Sequence, residues 1–154
     1  MTDRTTHQHL QFEYPDQAGY PDGVGTLTED QVTIIDQLLE PDQRVDMDIT
    51  VVNEEKEQVY TAIVGDTALG AVTYNRMADR IVLLAAAVYP EFRRQGVASE
   101  MIRQVLDDVR EQGKRVTNLC PIVRTFIDRH PQYEDLIDPN NPGILTKRGG
   151  SARR

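Results

Sequence analysis

The run Arg93-Arg94-Gln95-Gly96-Val97-Ala98-Ser99 carries the residue types of a turn that holds phosphate. Glycine at 96 removes a side chain where an anion needs close access to the backbone. An amphipathic stretch starts directly after it. The first amides of a helix there would lack internal acceptors and lie at the positive end of its dipole. Arg93 and Arg94 add charge able to reach a pyrophosphate, and Ala98 keeps the next turn small. Taken alone, Arg-x-x-Gly-x-Ala is explained as well by a turn glycine between solvated arginines.

The second group with chemistry is Cys120, the only cysteine of the chain. A single thiol excludes an internal disulfide and offers no zinc spacing. It could accept an acyl group or assist a proton transfer if Arg124 or a following helix N-terminus stabilised its thiolate. The competing reading is a small buried residue at a strand end. His130 suits a helix end better than a general base. Tyr133 suits packing, or proton donation. His7 and His9 fall in a polar leader where His-x-His carries no metal expectation.

The surrounding pattern shows what must position these groups. Residues 1–27 are polar with Pro and Gly turn signals, and are read as a mobile extension. Thr28-Glu29-Asp30-Gln31 forms a capping box before Val32, Ile35, Leu38 and Leu39, predicting a helix over about 28–40. Met47, Ile49 and Val51 alternate with polar residues from 46 onward, as in a half-exposed strand. Strands at Gln58–Val64 and Ala68–Tyr74 join across Gly65-Asp66-Thr67. Arg80–Val88 is apolar almost throughout, the pattern of a central strand covered on both faces.

A helix begins near Gly96 or Val97, with Val97, Ala98, Met101, Ile102, Val105, Leu106 and Val109 on one stripe and Gly113 as its C′ residue. Lys114–Cys120 is a fifth strand, expected parallel to the fourth because a helix separates them. Pro121 starts another helix that stops before Pro131. The expected division is an acidic extension over 1–45, a folded domain over 46–138 and a disordered basic tail over 139–154.

Length and charge bound the rest. A chain of 154 residues with 39% hydrophobic content holds one ordinary core plus tails. Met1–Leu10 is polar and does not resemble a secretory signal, and no apolar run is long enough to span a bilayer, so a cytoplasmic location without membrane contact is expected. The net charge of -8 is uneven: residues 1–58 contain 14 acidic and 3 basic side chains. That half disfavours nucleic acid and could suit a cationic partner, or merely keep the chain soluble.

Four motifs follow in order between about Val51 and Leu136: Val88-x-Pro90-x-Phe92, Arg93-x-x-Gly96-x-Ala98, Leu119-Cys120-Pro121 and Ile127-x-Arg129-His130-Pro131-x-Tyr133-x-x-Leu136. Together they resemble the GNAT N-acetyltransferase superfamily, and within it the short GNAT-like subfamily. The resemblance implies an α+β fold: a GNAT-type mixed sheet, an antiparallel meander followed by strand–helix–strand–helix, with an N-terminal helical extension. It implies that strands Ile81–Val88 and Arg115–Cys120 splay apart to admit the pantetheine arm of acetyl-CoA (coenzyme A). The backbone of Ala87 and Val88 would pair with that arm. Arg93, Arg94, Gln95, Gly96, Val97, Ala98 and Ser99 would hold the pyrophosphate, with Cys120 and Arg124 near the thioester.

The implied activity is acetyl transfer from acetyl-CoA to an amine, without a metal. The acceptor would be an amine-bearing small molecule or a basic protein or peptide. Many GNAT enzymes place an acidic residue on the fourth strand, whereas this chain has Ala85-Ala86-Ala87, which offers no base. An acyl-CoA binding module without efficient turnover, or a partner-recruiting protein, therefore stand beside the enzyme reading.

Overall fold

The computed structural model describes residues 27–39, 47–93 and 95–147, together with the backbone of 11–13. Among these residues the strands are β1 (Gln11–Glu13), β2 (Thr50–Glu54), β3 (Val59–Val64), β4 (Thr67–Arg76), β5 (Arg80–Val88), β6 (Arg115–Asn118) and β7 (Leu145–Lys147). The helices are α1 (Glu29–Leu38), α2 (Val97–Glu111) and α3 (Pro121–Arg129), with short 3-10 turns at Pro90–Phe92 and Pro131–Leu136. The fold is α+β, built on a five-stranded mixed sheet of order β2-β3-β4-β5-β6. Strands β2 to β5 form the antiparallel meander, and β6 joins β5 in parallel. None of the described helices is long and apolar enough to cross a membrane.

Local chemistry accounts for these elements. Gly65 makes the β3–β4 turn with φ +59°, a left-handed conformation that costs glycine least. The α2 stripe of Met101, Ile102, Val105, Leu106 and Val109 is buried against the sheet, where it meets Tyr60, Leu69, Val72, Ile81 and Leu83. Gly70 lets β4 lie beside β5 under that helix. A Cβ there would come within 2.4 Å of the Ala87 carbonyl oxygen and 3.3 Å of the Met101 sulfur. The alternation that starts at Met47 becomes a paired strand only at Thr50.

Helix α1 begins as its capping box predicts. The Gln31 amide donates to Thr28 Oγ1 at 3.1 Å, and the Thr28 amide donates to Gln31 Oε1 at 2.9 Å. Ile34, Ile35 and Leu38 are buried on its inner face, which packs against α3, α2 and β5. The helix therefore belongs to the core rather than to a loose leader.

The fold also runs past residue 138, so the expected disordered tail is corrected over 139–147. The outer edge of β6 would otherwise expose unpaired backbone groups. Instead the Asn118 amide donates to the Pro142 carbonyl at 3.1 Å, and the Ile144 amide donates to the Asn118 carbonyl at 2.8 Å. Ile144 is fully buried. Beyond it, β7 pairs antiparallel with β1, which places Gln11–Glu13 of the expected mobile extension in a strand. The remainder of that extension and residues 148–154 lie outside the described residues.

Candidate functional site

The site grows from an irregularity in β5. Thr73 of β4 pairs with Ala85 and Tyr74 with Leu83, so Leu84 is an extra residue, a β-bulge that bends the strand. Pairing with β6 ends at the same level: Leu83 opposes Asn118, and the Leu119 amide donates to the Leu83 carbonyl at 2.8 Å. From Leu84 to Val88, β5 runs on with β4 beside it and without β6. The two strands part where the sequence motifs imply.

This opening corrects the expectation that Arg80–Val88 is covered on both faces. Ala86 and Val88 are buried under the helices, whereas Leu84, Ala85 and Ala87 are exposed. It also reassigns the backbone groups. The Ala87 carbonyl points into β4, as its 2.4 Å approach to a Cβ at Gly70 shows, and Ala87 opposes Ala71 there. By strand alternation the amides and carbonyls of Ala86 and Val88 face the gap. Ala87 therefore gives way to Ala86, beside Val88.

After Val88 the chain turns through Pro90–Phe92 into the glycine turn. Arg93 does not reach forward to the helix: its Nε donates to the Val88 carbonyl at 2.9 Å, and its guanidinium lies 3.5 Å from Asp30 of α1. Gln95 is exposed and donates from Nε2 to the Glu91 carbonyl at 3.2 Å. Arg94 lies outside the described residues. Gly96 caps α2 with φ +76° and ψ 10°, a conformation costly for a residue with a Cβ. The first bond of this helix runs from the Glu100 amide to the Gly96 carbonyl at 3.2 Å. The amides of Val97, Ala98 and Ser99 precede it and lack an acceptor within the helix. The side chains of Val97 and Ala98 are in the core, so these two offer backbone only.

Cys120 forms the floor of the gap. Burial pushes its thiol above the usual range, against the backbone amides of Val123, Ile122 and Ala86, which donate to the sulfur and favour the thiolate. Burial prevails, so the sulfur is a neutral, fully enclosed group and not an activated nucleophile. Arg124 does not change this. Its side chain is 3% exposed and bonded at 3.0 Å to Asp128 and 2.6 Å to Glu134. Its guanidinium is thus held by two carboxylates, one on α3 and one in the 3-10 turn after it.

The remaining candidates are structural. His130 stacks on Phe126 at 4.0 Å and sets Nδ1 2.9 Å from the Phe126 carbonyl. Tyr133 donates to Asp107 at 2.9 Å, and burial pushes its hydroxyl pKa up, as does that bond. Its hydroxyl is thus committed to α2.

Two residues of the site carry little signal in the sequence. Asn118, fully buried at the end of β6, brackets Cys120: Oδ1 accepts from its amide at 3.1 Å, and Nδ2 donates to its carbonyl at 3.0 Å. Its place between Thr117 and the apolar Leu119-Cys120 was the available hint. Asp30 had none beyond its place in the capping box.

With a five-stranded mixed sheet, a gap between its two parallel strands and a glycine-capped helix beyond the gap, the class is defined. The chain belongs to the GCN5-related N-acetyl-transferase family, whose pattern it matches over residues 59–136, just over half its length. The match leaves out α1 and the segment from Ile137 onward. Among solved structures, a GCN5-like protein of Staphylococcus aureus, determined by NMR, is similar over 59% of this chain and 87% of its own, at 21% identity and a TM-score of 0.44. Ard1 from Thermoplasma volcanium, a crystal structure, is similar over 60% of this chain and 70% of its own, at 21% identity and a TM-score of 0.38. No curated protein matches the chain.

Proposed function

We propose that the protein transfers acetyl from acetyl-CoA to an amine acceptor. One observation carries this reading: β5 runs on from Leu84 to Val88 without β6 and leads into a left-handed Gly96 at the start of α2. The residues present fit a coenzyme of this kind. The Ala86 carbonyl and the Val88 amide on the edge of β5 suit the two amides of a pantetheine arm. The amides at 97–99 and the dipole of α2 suit a pyrophosphate. A bound acetyl-CoA would supply the activated thioester; the protein supplies position and a dry floor at Cys120.

The acceptor in this reading is an amine-bearing small molecule or a basic peptide, in keeping with the acidic first half of the chain. Attack requires the amine to be neutral. The exposed Ala85 and Ala87 contribute no base on their strand, so the amine loses its proton to water before attack. Cys120 takes no covalent part, since its thiol is neutral and enclosed. The same alanines favour a second reading, a holder of acyl-CoA with little turnover.

Thermal unfolding with coenzyme A and acetyl-CoA tests the first step. At 100 times its Kd a ligand adds about 2.7 kcal/mol of stability. An unchanged Tm at millimolar coenzyme overturns both readings. Where binding is seen, thiol release with a panel of amines separates transferase from holder.

A further inference from the structure

We infer that α1 is a strap laid across the coenzyme groove, and that α1 and the pantetheine arm compete for the same place. The inference rests on the coenzyme reading of the gap. It begins from where α1 sits. The helix packs against β5, whose free edge lines the gap, and against α2 and α3, the helices that follow β5 and β6, and it lies outside the region shared with the family. Its inner residues Ile34, Ile35 and Leu38 are 1, 2 and 4% exposed, so this face of the helix is packed into the core beside β5.

Both ends of the helix are fastened to the domain. At the N-terminal end, Asp30 takes the guanidinium of Arg93, whose Nε is already on the Val88 carbonyl. That carbonyl belongs to the free edge of β5, where the arm would bond. The edge is therefore capped by Arg93, and Arg93 by a carboxylate of α1. At the C-terminal end, Arg129 of α3 donates to the Leu39 carbonyl. Asp30 also places negative charge on an arginine beside the phosphate turn, where a pyrophosphate would compete for it.

The polar part of the fastening is weak. The Asp30 side chain is 76% exposed, and an exposed ion pair of this kind holds little. The Thr28 cap is likewise at the surface. The apolar face carries most of the attachment, and a ligand that binds only the open form must first shift that equilibrium, which lowers its apparent affinity.

The test uses the full chain, with coenzyme A as the probe. Thr28→Ala removes the cap and Asp30→Asn the charge; neither touches the proposed phosphate amides. The double variant binds coenzyme A about fivefold more tightly than wild type if a closed strap is in competition. Amide exchange at Ile34, Ile35 and Leu38 becomes faster when wild type is saturated with coenzyme A. Equal or weaker affinity in the double variant, or slower exchange in α1, makes the helix a fixed wall and overturns the strap while leaving the coenzyme site standing. Binding by the variant alone supports the strap. No binding by either protein overturns the coenzyme reading itself, and the strap falls with it.

Discussion

Asn118 closes its side-chain amide on both backbone groups of Cys120, accepting from the amide at 3.1 Å and donating to the carbonyl at 3.0 Å. The carbonyl also accepts from the Arg124 amide at 3.0 Å, the first bond of α3. The side chain thus satisfies the Cys120 amide where β6 ends and α3 begins, and leaves no orphaned donor in the core there.

Asn118→Ala removes both bonds at once and leaves the buried Cys120 amide unsatisfied, while the carbonyl keeps the Arg124 amide. The expected cost is about 2 kcal/mol, a fall in Tm on the order of 6 °C. Calorimetry of the two proteins measures it. A change of under about 1 kcal/mol would mean that the gap is held by other contacts.

Cys120 titrates against folding. Its folded value lies above its unfolded one because burial disfavours the thiolate. Its contribution to stability is thus complete below the unfolded thiol value, about 8.5, and is lost as pH rises through the folded value. Urea midpoints should hold to about pH 8 and fall above it, and Cys120→Ala should flatten the first part of that fall. Iodoacetamide at pH 8 should label the thiol only after unfolding. Rapid labelling of the native protein would restore it as a candidate nucleophile.

Gly143 tests how far the fold extends. It has φ +90°, and a Cβ there would lie 2.0 Å from the Asn118 carbonyl oxygen. Gly143→Ala is expected to destabilise the protein by more than about 2 kcal/mol. A tail that merely trailed from the domain would tolerate the change without effect.

What the amino-acid pattern disclosed was what depends on near neighbours. The strand at Gln58–Val64, the stripe from Val97 to Val109 and the capping box at Thr28 each lie within one element, and each element formed. The bulge at Leu84 left no mark, since a run of Leu and Ala reads alike with or without an extra residue. The ordering of 139–147 depends on backbone bonds to Asn118, far off in sequence. Arg93 and Arg124 were recognisable as charges, but their partners, Asp30 and Glu134, are set by tertiary packing. The glycine turn was legible because glycine at a left-handed helix cap is a local requirement. The backbone edge was legible only to within one residue, because the bulge and pairing decide which carbonyl faces the gap.

If transfer occurs, its pH dependence follows from the alanines at 85–87. Without a base on that strand, the logarithm of kcat/KM should rise with unit slope up to the acceptor's own pKa, about 10.4 for a lysine-like amine. Steady-state rates from pH 6 to 10 give the slope. A plateau near pH 7 would mean that a protein group takes the proton.

The most direct test of the coenzyme site is a titration of ¹⁵N-labelled protein with coenzyme A, followed amide by amide. Shifts centred on Val97, Ala98 and Ser99, and on Val88 at the edge of β5, are the predicted result. Saturable shifts elsewhere with these four amides unmoved, or no shifts at millimolar coenzyme A, would contradict the account.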